Sequence, residues 1–126
     1  ERDALLAGTR ACAFPSEKEG WGLTVIEANA LGTPVVARDA PGLRDSVRHG
    51  QTGTLVGPPE QHARDPENEH DEIEDWADAL GAMLIEDDAS KALRQRCLEW
   101  AKHFDWDRAA NDMEHAITAA LRGGSN

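Results

Sequence analysis

Basic residues are scarce in this 126-residue chain. It has 13 Lys and Arg against 24 Asp and Glu, a formal net charge of −11. Only Lys18, Lys91 and Lys102 are lysines. Nucleic acids and anionic membranes select Lys/Arg surfaces, so neither is expected as the main partner. Acidic, lysine-poor composition also suggests a salt-adapted chain, whose stability would rise between low and molar salt. Cysteine is nearly absent: Cys12 and Cys97 lie far apart and form no disulfide framework, so idle or buried thiols are expected. No apolar run reaches the ~18 residues of a membrane span, and no signal peptide is expected. The histidines His49, His62, His70, His103 and His115 show neither H-x-H nor H-E-x-x-H spacing, and there is no C-x-x-C. A metal centre is therefore not expected. No G-x-S-x-G elbow offers a serine nucleophile. The chain opens at Glu1 without a methionine, so a truncated N-terminus is expected.

What is present alternates between two periods. Residues 2–8 read as the end of a short helix. Ala11-Cys12-Ala13-Phe14 is a short buried run stopped by Pro15, consistent with an interior parallel strand. An apolar-periodic helix follows, closed by Gly32. Pro34-Val35-Val36-Ala37 is a second strand, Leu43 to Arg48 a short helix, and Gly53-Thr54-Leu55-Val56 a third strand before Pro58-Pro59. This βαβαβ order predicts an α/β fold over 1–59: a partial Rossmann-like parallel sheet of about three strands with flanking helices. Residues 60–75 are polar and acidic and read as a solvated loop. A helical tail fills 76–122. Its stripes are Ile73, Trp76, Leu80, Met83 and Leu84; then Leu93, Cys97, Trp100 and Phe104; then Trp106, Ala109, Met113, Ile117 and Leu121. Trp76, Trp100 and Trp106 are expected in the core, and Asp105 as an N-cap.

The candidate site is the stretch Ser16 to Leu31. On a helix, Leu23, Ile26, Ala30 and Leu31 fall on one arc and Glu27 lies inside it. A carboxylate on an apolar arc breaks the binary pattern, as functional sites do. A helix starting near Gly22 offers free N–H groups and a positive dipole end, and Gly20 and Gly22 let an anion approach closely. Glu27 is placed to accept from hydroxyls of the same ligand, and Glu19 lies across the anion site. A central diphosphate with polyols on both sides, as in a nucleotide sugar, fits this pattern. In open α/β sheets ligands bind beyond the carboxyl ends of the strands. The loops after the first strand (Glu19) and the second (Asp39 to Gly42) should therefore lie side by side. The structural alternative for Glu27 is an ion pair with Arg10 or Arg38.

Pro15-Ser16-x-x-Glu19-Gly20-Trp21-Gly22-Leu23-x-x-x-Glu27-Ala28-x-Ala30-x-Gly32-x-Pro34-Val35-Val36-Ala37 resembles the signature of retaining GT-B glycosyltransferases of group 1, GT4-like, with its E-x7-E glutamates. Pro41-Gly42-Leu43-Arg44-Asp45 and Gly50-x-Thr52-Gly53-x-Leu55-Val56 continue the resemblance, and Phe104-x-Trp106 resembles an aromatic-x-Trp element before that family's last helix. The resemblance implies half of a GT-B C-terminal lobe. It implies transfer of a sugar from a nucleotide-diphosphate donor to an acceptor hydroxyl with retention, without a metal cofactor. Glu19 would be the catalytic glutamate at the donor sugar and Glu27 the ligand of the ribose hydroxyls. Gly20, Trp21, Gly22, Leu23 and Thr24 would contact the diphosphate or sugar. Asp45 stands where relatives often carry Glu and reads as structural. The glycan, lipid or small-molecule acceptor would bind an N-terminal lobe outside this chain. The location would be cytoplasmic, with a peripheral place at the inner membrane face for the full-length protein. The isolated fragment would be inactive, and its open sheet edge favours self-association. A phosphorylase-like or epimerase-like relative, or a non-catalytic binding domain of the same fold, are the alternatives.

Overall fold

A computed structural model describes residues 1–57 and 69–123. In chain order the elements are α1 (Arg2–Gly8), β1 (Cys12–Phe14), α2 (Leu23–Ala30), β2 (Val35–Arg38), α3 (Leu43–Ser46), β3 (Gly53–Val56), α4 (Glu69–Met83), α5 (Asp88–Ala101) and α6 (Trp106–Gly123). The three strands form a parallel sheet in the order β1-β2-β3, with Cys12 beside Val35 and Val35 beside Gly53. Fold class and strand positions agree with the reading from sequence. One difference is that β1 lies at an edge of this sheet, with Ala13 exposed, rather than in its interior.

Parallel strands require crossovers, and α2 and α3 supply them. The core lies between these helices and β2: Val25, Ala28, Val35, Ala37, Ala40, Leu43 and Val47 are almost wholly removed from water. Each such side chain contributes roughly 1.5–3 kcal/mol if large and less if Ala. At the end of α2, Gly32 takes a φ of 73°, and the Thr33 N–H returns to Ala28 O at 2.9 Å, the six-to-one bond of a Schellman ending.

The arc expected for α2 is not the buried one. Val25, Ile26, Ala28 and Asn29 are buried, whereas Leu23 is 52% exposed and Ala30 is exposed. The reason is geometric. α2 is covered by the sheet on one side and by α5 on another, so its hidden surface is set by two neighbours rather than one stripe. α5 is held by Asp87, whose carboxylate accepts from the Ser90 N–H at 2.8 Å in a reciprocal cap. Arg94 on α5 donates to Gly32 O, Thr9 O and Arg10 O at 3.2, 2.9 and 3.4 Å. Cys97 is fully buried, and burial pushes its thiol up to about 12, so it is no nucleophile.

Two further expectations need correction. The acidic stretch 60–75 is not a loop throughout. Residues 60–68 lie outside the described residues, but α4 has begun by Glu69. Glu72 accounts for this, because its carboxylate reaches Arg38 on β2 at 2.5 Å and accepts from Trp76 Nε1 one turn on. Likewise, the third tail stripe is not core: Trp106, Met113, Ile117 and Leu121 on α6 are 80, 64, 55 and 73% exposed. Ile73 and Leu84 are also mostly exposed. The second stripe behaves as expected around Cys97, and Asp105 does cap α6, accepting from the Asp107 N–H at 2.9 Å.

Candidate functional site

Gly22 is the N-cap of α2, with φ 76° and ψ 43°. This left-handed conformation is open to glycine at little cost. A Cβ there would stand 2.5 Å from Ser46 Oγ and 3.2 Å from Leu43 Cδ2. Glycine is thus favoured twice at this position, by conformation and by the approach of α3. No side chain caps α2 and its first turn holds no acidic residue. Val25 N–H turns back to Gly22 O at 2.9 Å, which leaves the N–H groups of Leu23 and Thr24 at the positive end of the helix to face an anion.

The loops after β1 and β2 are packed together, as the strand order predicts. Gly42, at φ 82°, lies so close to the first loop that a Cβ would fall 2.3 Å from the Glu19 carbonyl oxygen. This contact fixes the backbone at Glu19 against the start of α3. Ser46 Oγ donates to Gly42 O and Leu43 O, both at 3.3 Å, which holds that start in place. The second loop is further braced by Arg44, which pairs with the Asp39 carboxylate and donates to Asp39 O.

Glu27 is on α2, half-buried, with its side chain 36% exposed. Its partner is Arg2 on α1, at 3.4 Å, and neither Arg10 nor Arg38, the two partners of the structural alternative. Arg10 instead pairs with Glu86, and Arg38 with Glu72. The Arg10 guanidinium, by hydrogen bond first and charge second, holds the Glu86 carboxyl below its ordinary value. The Arg2–Glu27 pair is largely exposed and contributes at most ~1 kcal/mol, so separating it costs little. Glu19 is half-buried, while Gly20 and Thr24 are exposed.

Trp21 is 37% exposed and meets Phe104 edge to face at 4.8 Å between centroids. With Leu23, Ile26, His103, Phe104, Asp105, Trp106 and Arg108 it lines a cavity of about 570 Å³ between α2 and α6. Phe104, Ser46 and Arg2 went unrecognised as neighbours of the glycine loop. Phe104 is marked in the sequence only as part of an aromatic-x-Trp element, and nothing local places any of the three here, since each arrives from another element. Among the described residues, no group of three or more His, Cys, Asp or Glu gathers where it could hold a metal ion. No described helix is long and apolar enough to cross a membrane.

Comparison with known proteins agrees with this fold. Residues 1–66 match the family described as glycosyl transferases group 1. D-inositol 3-phosphate glycosyltransferase of Nocardia farcinica is 40% identical over 109 residues, covering 86% of this chain and 22% of that protein. The protein of the same name from Corynebacterium efficiens is 36% identical over 129 residues, covering 97% and 28%. The chain thus spans roughly a quarter of the length of these relatives. In fold it is similar to the pneumococcal O-GlcNAc transferase GtfA, solved in complex with UDP and GlcNAc. The TM-score is 0.69 at 20% identity, over 96% of this chain and 23% of that one. The match to the family covers more than half of the chain and includes both glutamates and the whole glycine loop. The chain therefore belongs to the group 1 glycosyl transferases.

Proposed function

We propose that this chain is the latter half of a donor-binding lobe, in a protein that moves a sugar from a nucleotide-diphosphate donor to an acceptor hydroxyl with retention. One observation carries the reading. The uncapped N-terminus of α2 opens at a left-handed Gly22, beside two loops packed together at the carboxyl ends of adjacent parallel strands. The first-turn N–H groups of Leu23 and Thr24 would meet the diphosphate and stabilise it as charge grows on departure. Gly20, Trp21 and Gly22 would give the ligand close access to that helix end. Glu19 would act at the donor sugar, and Glu27 would take the ribose hydroxyls in place of Arg2. The reading includes no resident metal: backbone N–H groups and basic side chains from the rest of the protein would neutralise the leaving group. A cytoplasmic location and an acceptor bound by another lobe belong to the same proposal.

The test uses the full-length protein with UDP-, GDP- and ADP-sugars, measuring nucleotide release with and without acceptor. D-inositol 3-phosphate, the compound in the relatives' names, is the first acceptor to try. Release that depends on acceptor is expected. Glu27→Ala should lower kcat/KM by about 10- to 100-fold, mainly through donor KM, the equivalent of ~1.5–3 kcal/mol for hydrogen bonds to a charged group. Glu19→Ala should act on kcat. Donor binding that Glu27→Ala leaves unchanged would end the proposal.

A further inference from the structure

The glycine loop sits inside a closed circuit of contacts. Trp21 meets Phe104 edge to face, with centroids 4.8 Å apart and planes at 66°. Phe104 meets Trp100 in the same way, at 4.7 Å and 86°. Trp100 Nε1 donates to Ser46 O at 2.9 Å, and the Arg48 guanidinium lies 4.0 Å over the Trp100 ring. Ser46 in turn occupies the space beside Gly22 where a Cβ would go. Gly22 follows Trp21, and the circuit is complete. It runs from loop to α5, from α5 to α3, and from α3 back to the loop.

We propose that Phe104 is a positioning residue for the donor site: it holds Trp21, and through Trp21 it fixes the N–H groups at the start of α2. The proposal rests on the donor-site reading given above. Phe104 suits this role because its own backbone is fixed. Its N–H bonds to Ala101 O at 3.1 Å at the end of α5, and Asp105 immediately after it caps α6. Its ring stands between two tryptophans, with an edge-to-face contact to each. Such contacts depend on ring quadrupoles and geometry, so an aliphatic side chain of similar volume does not replace them. Phe104 touches no ligand in this scheme. It sets where the loop is and how still it is, and a preorganised anion site depends on both.

The experiment uses the full-length protein labelled with 5-fluorotryptophan, the Trp21 signal being assigned by Trp21→Phe. Phe104→Leu should shift and sharpen that ¹⁹F signal as the ring gains freedom, and should raise the Kd for the nucleoside diphosphate that the wild type binds best (UDP, GDP or ADP) by about tenfold. Phe104→Tyr, which keeps the ring, should restore both. Met113→Ala on the exposed face of α6 should change neither. An unchanged Trp21 signal in Phe104→Leu overturns the positioning role, as does a changed signal with an unchanged Kd. If the wild type binds none of the three nucleotides, the donor-site reading itself falls and takes this role with it. The ¹⁹F result would then report only on packing.

Discussion

Two glycines show how much one missing carbon atom decides. Gly22 and Gly42 both have positive φ, but their surroundings differ. An alanine at Gly22 would press on Ser46 Oγ, a hydroxyl that can rotate away. An alanine at Gly42 would press on the Glu19 carbonyl, a backbone atom that must carry its whole loop with it. Gly22→Ala should therefore cost ~1 kcal/mol and Gly42→Ala ~3 kcal/mol. Urea unfolding at constant m-value gives both numbers. Equal costs would mean that the Glu19–Gly42 contact does not constrain the loops. Glu27 also illustrates the limit of local reading. Its place on α2 follows from the sequence, yet its partner Arg2 lies 25 positions upstream and was legible only once α1 had been placed.

At the scale of elements, α5 and α6 carry similar apolar stripes and have opposite fates. Trp100 is packed between Phe104 and His103, under Arg48, with its indole N–H bonded to Ser46 O. Trp106 is 80% exposed. Trp100→Ala should cost ~3–5 kcal/mol, the range for a large aromatic removed from a packed site. Trp106→Ala should stay within ~0.5 kcal/mol, as for an open surface. Thermal or urea unfolding of the 126-residue chain distinguishes them, and a large loss from Trp106→Ala would place α6 against the core in solution. Period alone cannot make this distinction. A 3.6-residue repeat says that one face is apolar, but not whether this chain supplies the surface to cover it. The buried arc of α2 departs from its apolar pattern for the converse reason. Two neighbours, the sheet and α5, cover it from different sides, and the pattern records only their sum.

Over the whole molecule, charge is the dominant imbalance. A net charge of −11 on 126 residues makes the compact state repel itself. Several carboxylates do have partners: Glu72 with Arg38, Asp39 with Arg44, Glu86 with Arg10, and Glu99 with Lys102. The Lys102 ammonium, mainly by its hydrogen bond, holds the Glu99 carboxyl below its ordinary value. With 24 acids against 13 bases, pairing cannot be complete. The urea midpoint should therefore rise as salt goes from about 0.01 to 0.15 M, while the screening length falls from ~30 to ~8 Å. A flat or falling midpoint would show that repulsion is not limiting stability, and would remove the case for salt adaptation.

The sequence by itself determined the order of elements, the parallel sheet, the glycine-bounded start of α2 and the family. The signals for them are local: β-branched runs, left-handed glycines and a helical period are written where they act, and a strand-helix-strand order leaves parallel pairing as the outcome. The tertiary structure alone decided that Gly42 abuts Glu19, that Phe104 and Ser46 enclose the glycine loop, and that the stripe of α6 faces outward. Each of these joins segments far apart in the chain. Such a contact arises from how helices and strands stack in three dimensions, which no local pattern encodes.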